Sequence, residues 1–531
     1  MYVSAVNIKG FKKYIDYKVK FNDHLNILIG ENEAGKSTIL EAIEVVLNQK
    51  FFLHNQNANV LFFCKDNIEK FESNKNIESL PKIEIELFFS HRNGQTPNPK
   101  IGRFYGEHNS WSDAYYGIHF EYKFDESYSA LFQDFGNNPI IPIDFYKAEW
   151  KTFSGTNYNR KLNPLKSLTI DNSLSKYGIY DSFAKDIYET TYDEKTKNSL
   201  SHEFRTSIKN FLSSNKESLS LDEFQTFSIS EEKTNIKSLL TIEHKGITLQ
   251  QKGKGMENII KTRQALKNSQ SKLLLIEEPE NHLSPMNLRK LISDISQENG
   301  DSQIIIATHE SLIVNRLGLD NLIWIQGSKP STFNNLKSET IAYFKKIDHT
   351  NILQFILANK VILVEGAAEY ILMDKLVRSL RDDKKGLDDY KIEVISGGGI
   401  TYKHYLDVAK NLNKPILVLT DNDSKLERIQ EIQLKNQKYE SSNVPIKIEL
   451  EDDISYFTFE AALFYKNEKL LTDLTNENAS KYYNGREFPK ILSFMLNNKS
   501  KAALRIEERY NTEDLQCPDY ISRGLEWLIK S

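Results

Sequence analysis

An α/β chain with two sheet-bearing parts, each built on buried parallel strands, is what the sequence predicts. Three observations carry this. Short, continuously apolar segments such as "LNILI", "KLLLIEE" and "QIIIATHE" read as central strands buried on both faces. From about residue 360 onward, strands and helices alternate in a βαβαβ rhythm, as in a parallel sheet covered by helices. Between about 155 and 235 a polar, helical pattern rich in Asn, Lys and Ser interrupts the first part without a clean turn of sheet.

Taken in order, "VSAVNIKGF" and "YKVKF" alternate apolar and polar side chains, as half-buried strands do, before the central "LNILIG". An amphipathic helix follows from about Lys36 to Leu47, with Ile39, Leu40, Ile43 and Val46 on one face. "KIEIELFF" and "IHFEYKF" are further alternating strands, expected to be antiparallel. Sheet resumes at "SLLTIEH", "KLLLIEEPE", "QIIIATHES" and "NLIWIQG". After a linker near 330–355 come "KVILVEG", "YKIEVISGGG" and "PILVLTDND" with intervening helices, then a mostly helical tail from about 455. The expected divisions are 1–154 and 236–350 for the first part, 155–235 for a helical insertion that mediates self-association, 351–455 for the second sheet and 456–531 for the tail.

Composition narrows the function. The chain has 531 residues, 69 Lys and Arg against 73 Asp and Glu, and a net charge of −4, so a generally basic nucleic-acid coat is excluded while a local basic groove is not. No apolar run approaches the roughly 18 residues of a membrane span. The first residues lack the order of a secretory signal. Two cysteines far apart, Cys64 and Cys517, make neither a disulfide framework nor a cysteine zinc site. A cytoplasmic protein with no membrane partner is expected.

"GENEAGKST" at 30–38 fits GxxxxGK[ST] between a buried strand and an amphipathic helix. Gly30 and Gly35 allow a nest of backbone N–H groups around phosphate oxygens, with Glu31, Asn32 and Thr38 completing the loop. Lys36 then neutralises β/γ-phosphate charge and Ser37 holds Mg²⁺. "LLLIEEPENHLSP" supplies the partner strand, with Glu277 beside the metal and Glu278 near an attacking water. "IIIATHES" ends a third core strand in His309, placed to contact a γ-phosphate.

A second acidic set occupies the other part. Glu365 ends the strand "KVILV", and Glu369 lies on the first turn of the next helix. Asp421 and Asp423 end "PILVLTDND"; if that segment stays extended, positions i and i+2 face one side and both carboxylates approach one cation. Four acids at the carboxyl edge of a parallel sheet, with no Lys or Arg expected among them, repel one another unless Mg²⁺ or Mn²⁺ is bound.

The first set resembles ABC-type ATPase heads of the RecF, SMC and Rad50 class. In that class a signature segment contacts ATP across a dimer; the match is "LQQKGKGMENII", with Gly253 and Gly255, a departure from the usual LSGGQ. The second set, with the "ISGGG" bend, resembles a Toprim domain. The whole resembles an SMC/RecF-like ATPase head with a helical insertion, followed by a Toprim domain and a helical tail, the arrangement of the overcoming-lysogenization-defect (OLD) nuclease family, which includes Gabija nuclease subunits. That resemblance implies a Toprim site completed by Glu460 and by Lys499, with Lys501 as the alternative lysine. It further implies ATP and Mg²⁺ or Mn²⁺ as cofactors, DNA as substrate, anti-phage defence as the setting, and a homodimer or higher homo-oligomer. Some members work beside a helicase, others beside a retron reverse transcriptase with its RNA/DNA. The competing reading is a RecF/SMC-like DNA-binding clamp whose Toprim fold does not cleave; the intact acids count against it. A primase or topoisomerase would want a zinc module or a strand-cleaving tyrosine domain, and a transporter subunit would lack the Toprim half.

Overall fold

The computed structural model describes residues 1–531 except 52–59, 93–98, 135–139, 172–178, 223, 231–234, 269–271, 298–301, 348–351, 381–383, 398–401 and 476–479. Two compact units emerge: Met1–Ile313 with Asn321–Thr332, and Val314–Asp320 with Phe333–Ser531.

The first unit holds two sheets. One is antiparallel, with neighbouring strands Tyr14–Lys20, Tyr2–Phe11, Ile83–Ser90, Tyr115–Phe124 and Tyr146–Thr152. The other runs in the order Ser331–Thr332, Leu322–Trp324, Leu25–Ile29, Gln303–Ala307, Leu273–Glu277, Ser167–Asp171, parallel except at the Ser331–Thr332 edge. The continuously apolar strands are thus the central ones, as burial on both faces requires. The helix Lys36–Asn48 shares one core with both sheets: Ile39, Ile43 and Val46 pack with Val6, Ile85 and Phe120 and with Leu275 and Ile305. Each such side chain contributes roughly 1.5–3 kcal/mol through its burial, so the helix that opens on the phosphate loop is held on two sides.

The second unit is a four-stranded sheet in the order Ile392–Ser396, Lys360–Val364, Ile416–Leu419, Ile446–Glu449, parallel throughout. The chain leaves Lys360–Val364 for one neighbour and returns on its other side, so strand order reverses there. The C-terminal helices Phe459–Lys466, Lys490–Asn497, Lys499–Arg509 and Asp519–Lys530 enter the same apolar core through Leu463, Met495, Ile506 and Leu525.

Three features depart from the sequence expectation. The segment 155–235 is not wholly helical: beside its helices Ile179–Thr191 and Glu194–Ser214, Ser167–Asp171 forms an outer strand of the parallel sheet, paired with Leu273–Glu277. "SLLTIEH" contributes only Glu243–His244 to a two-residue hairpin with Ile247–Thr248. Residues 333–347 cluster with the second unit, because Phe333 and Phe344 are fully buried and Tyr343 stacks on His404 at 4.3 Å. Both cysteines are buried free thiols. Among the described residues no helix is long and apolar enough to cross a membrane.

Candidate functional site

The phosphate loop lies between the strand Leu25–Ile29 and the helix Lys36–Asn48. Gly35 has φ +101°, and a Cβ there would stand 2.4 Å from the Tyr14 hydroxyl, so the loop closes only with glycine. Lys36 is buried and donates to the carbonyls of Gly30 at 2.9 Å and Glu31 at 3.0 Å, folded back on its own loop. Burial lowers its ammonium pKa, opposed by Glu278, Glu277 and Glu280. Ser37 Oγ donates to Glu277 Oε1, bringing together the two residues expected to share a metal. Burial raises the Glu277 carboxyl pKa, helped by Asp171 and Glu278 and opposed by the Ser37 hydroxyl. Glu31 and Asn32 are exposed at the rim, and Thr38 is half-buried on the helix's first turns.

Glu278 follows the strand with φ +45°, its amide donating to Ala307 O at 2.9 Å and its Oε2 accepting from Asn281 Nδ2 at 2.6 Å. His309 Nδ1 stands 4.0 Å from Glu278 Oε1 and 3.5 Å from Glu280 Oε1. Sequence reasoning passed over Glu280. Its Oε1 accepts from Thr308 Oγ1 at 2.7 Å and from the His309 amide at 3.1 Å, fastening the loop after Leu273–Glu277 to the end of Gln303–Ala307. The third acid of "EEPEN" was the available signal.

The two glycines before the helix Lys254–Lys267 differ. A Cβ on Gly255 would stand 2.2 Å from the His282 carbonyl oxygen, whereas nothing lies within 4 Å of one on Gly253. Asn258 Nδ2 donates to Asn281 O at 3.0 Å, tying this helix to the loop after Glu278. Gly255→Ala is therefore expected to cost about 1–3 kcal/mol in urea unfolding, as overpacking does. Gly253→Ala should stay within about 0.5 kcal/mol of the parent yet slow ATP turnover, if this open loop acts on a neighbour's nucleotide. Equal stability losses would remove the distinction.

The acids of the second unit gather at the carboxyl end of its sheet, where strand order reverses between Lys360–Val364 and Ile416–Leu419. Glu365 directly follows the first strand. Glu369 lies on the first turn of Ala367–Ser379 and is only 7% exposed. Asp421 Oδ1 accepts from the Phe459 amide at 2.9 Å, which starts the helix bearing Glu460. Glu460 is 2% exposed, meets Lys499 Nζ at 3.0 Å, and its Oε1 has no hydrogen-bond partner among the described residues. Burial, then Glu365, Glu369 and Glu460, raises the Asp421 carboxyl pKa well above the usual range. Burial, with Glu460 and Glu365 adding to it, pushes Glu369 up to about 7. Burial works against the Lys499 charge, but Glu460, then Asp421 and Glu369, hold its pKa up. Behind them Tyr520, 3% exposed, keeps its phenol proton through burial and the field of Asp421 and Glu369. Lys501 lies over the Phe494 ring at 5.9 Å.

Two sequence expectations are corrected here. Asp421 and Asp423 do not share one face of a strand, because the strand ends at Leu419 and Asp423 turns with φ +53°. Asn422 between them is fully buried and donates to the carbonyls of Glu451 at 3.0 Å and Asp453 at 2.9 Å, which fixes that turn. Nor are the acids free of cations: Arg428 binds Asp423 and stands 3.2 Å from Glu365, and Lys499 meets Glu460. The group that shares one field is Glu365, Glu369, Asp421 and Glu460, with Asp423 set aside on Arg428. Of the "ISGGG" bend, Gly398 and Gly399 lie outside the described residues.

Do these residues suit a divalent cation? Their donors are carboxylate oxygens, the kind Mg²⁺ and Mn²⁺ prefer. The raised carboxyl pKa values at Glu369 and Asp421 come first from burial and then from neighbouring carboxylates, whose repulsion a cation would relieve. Among the described residues, however, no three His, Cys, Asp or Glu side chains already stand in a geometry that holds a metal. The acids fit a hard cation chemically, and side-chain rotation must complete its shell.

A phosphate loop and acidic strand ends in one parallel sheet, and an acid-lined parallel sheet in a second unit, define an ATPase domain followed by a Toprim domain. The expected resemblance to the OLD family is found. A family model described as overcoming lysogenization defect protein-like, TOPRIM domain, matches residues 356–423. An AAA ATPase domain model matches 1–141, and an AAA domain model described as putative AbiEii toxin, Type IV TA system, matches 260–315. Endonuclease GajA of Bacillus cereus strain HuB5-5 is 22% identical, over 99% of this chain and 96% of its own. GajA of strain VD045 is also 22% identical, over 80% of this chain and 75% of its own. An SMC head solved with the C-winged helix domain of ScpA aligns with a TM-score of 0.33 and 14% identity, covering 62% of this chain and 96% of that one.

Proposed function

We propose that the chain is an ATP-binding, metal-dependent DNA endonuclease in which the ABC-type head regulates the Toprim site. The observation that carries this reading is the gathering of buried Glu369 and Glu460 with half-buried Asp421 and Glu365, Lys499 standing against Glu460. Mutually repelling carboxylates kept together at a strand-order reversal make sense as a cation site. Divalent cations, when bound, polarise phosphate oxygens and supply the hydroxide for phosphodiester hydrolysis. Glu365, Glu369, Asp421 and Glu460 would hold them, with Asp423 joining once released from Arg428. Lys499 would stabilise phosphate charge as a point cation. In the head, Lys36, Ser37 and Glu277 would bind ATP with Mg²⁺, and Glu278 and His309 would act at the γ-phosphate.

The full-length similarity to GajA supports DNA as the substrate and, through the family, anti-phage defence. The signature-segment reading of Gly253 implies a homodimer or larger assembly. A helicase or a retron reverse transcriptase is the partner class that family membership suggests.

The test is incubation of purified chain with plasmid DNA and Mg²⁺ or Mn²⁺, with and without ATP. Nicked or linear DNA should appear with cation and vanish with excess chelator. Plasmid left intact under every cation condition, with ATP turnover retained, would favour the non-cleaving clamp.

A further inference from the structure

The acidic site has two sides with different cation partners. Glu369 and Glu460 are buried and Asp421 is half-buried beside them, with Lys499 Nζ 3.0 Å from Glu460 Oε2. Glu365 and Asp423, by contrast, are already bridged. Arg428, third residue of the helix Leu426–Ser441, places Nη1 on Asp423 Oδ2 and Nη2 3.2 Å from Glu365 Oε1. The same Nη2 donates to Thr420 Oγ1 at 2.6 Å, and Thr420 Oγ1 in turn donates to Glu365 Oε1. The Asp421 amide adds a third donor to that oxygen at 3.3 Å.

We propose that Arg428 is a built-in counter-cation that occupies the Glu365–Asp423 half and must leave before that half takes a divalent cation. The proposal rests on the nuclease reading above. A guanidinium cannot lose its proton at any working pH, so its charge is removed only by moving the side chain. Two cations held by one pair of carboxylates repel each other, so Arg428 and a metal ion exclude one another there. The side chain has somewhere to go, being 22% exposed at the start of a surface helix. The ligands would stay in place without it. Glu365 directly follows a buried strand, and the Asp423 amide donates to Phe457 O at 3.2 Å. Cations would therefore load in order, first at Glu369, Asp421 and Glu460, then at Glu365 and Asp423 as Arg428 swings out. A released guanidinium is also a bidentate partner for a backbone phosphate, which would couple the second loading to DNA.

Calorimetric titration of the full chain with Mn²⁺ tests this without relying on cleavage. Wild type should show a tighter and a weaker class of site. In Arg428→Gln the weaker class should tighten about tenfold, the lower end of what partners around a metal's ligands change, while the tighter one moves less than about twofold. Arg428→Lys, whose point charge cannot bridge both acids, should tighten the weaker class by about threefold; it decides the matter if Arg428→Gln does not fold. Unchanged or weakened Mn²⁺ affinity in folded Arg428→Gln overturns the inference and leaves the nuclease reading standing. Wild type that binds no Mn²⁺ at millimolar concentration overturns both.

Discussion

Asp421→Ala should lower DNA cleavage at saturating Mg²⁺ or Mn²⁺ by about 100-fold or more, the scale seen when one ligand-shell or oxyanion contact is removed, while ATP hydrolysis continues. The stability of the same position separates charge from geometry. Asp421 is a half-buried carboxylate repelled by its neighbours, but it also accepts the Phe459 amide that starts the next helix. Alanine removes both, losing a hydrogen bond worth about 1 kcal/mol while relieving repulsion. Asp421→Asn keeps the acceptor and drops the charge. Metal-free Asp421→Asn should therefore melt above wild type, and Asp421→Ala should gain less. Wild-type cleavage by Asp421→Ala at saturating cation would sink the assignment of cleavage to these acids.

Burial, with the same repulsion added, fixes a sign for pH. Glu369, facing Glu460, Lys499, Glu365 and Asp421, is pushed up to about 7 in the folded chain, against an ordinary value of 4.5. Between those values the folded state holds a proton that the unfolded state has lost. The stability of the metal-free chain should thus fall as pH rises from about 4.5 through 7, then level off at this group. Mg²⁺ should flatten the trend.

How much of this was legible beforehand follows from where each signal resides. The strand Leu25–Ile29, the phosphate loop and the acids Glu277, Glu278, Glu365 and Glu369 are local patterns: an apolar run, a glycine spacing, a charge at a strand end. Tertiary partners are not local. "SLTID" is a strand because Leu273–Glu277 offers an open parallel edge, and its own five residues sit among helical neighbours. Residues 333–347 join the second unit through Phe333 and Phe344, whose burial no periodicity announces. The turn at Asp423 was readable: Asp-Asn-Asp-Ser is turn chemistry, and it outweighs the i, i+2 rule of an extended chain. Arg428 had no such marker, since an arginine early in a polar helix is ordinarily solvent-facing. Only the fold brings it to Glu365.

The head's chemistry divides cleanly between two substitutions. Lys36→Ala removes the buried ammonium that now rests on the Gly30 and Glu31 carbonyls and would turn to phosphate. Charge-assisted hydrogen bonds of this kind are worth about 1.5–3 kcal/mol, so nucleotide affinity should fall by up to about 100-fold in a fluorescent-nucleotide titration. Glu278→Gln should do the opposite, holding ATP at wild-type affinity while turnover drops by about 10²–10⁴-fold, the range of general-base loss. The amide is the same size as the carboxylate. It can still accept from Asn281 Nδ2, and the φ of +45° at this position is a backbone property that the exchange leaves alone. Charge, not shape, is what the second variant removes. If Glu278→Gln turns over ATP at the parental rate, the base lies elsewhere among the acids that meet at His309. Glu280, 3.5 Å from the imidazole and already bonded to the His309 amide, is then the group to change next.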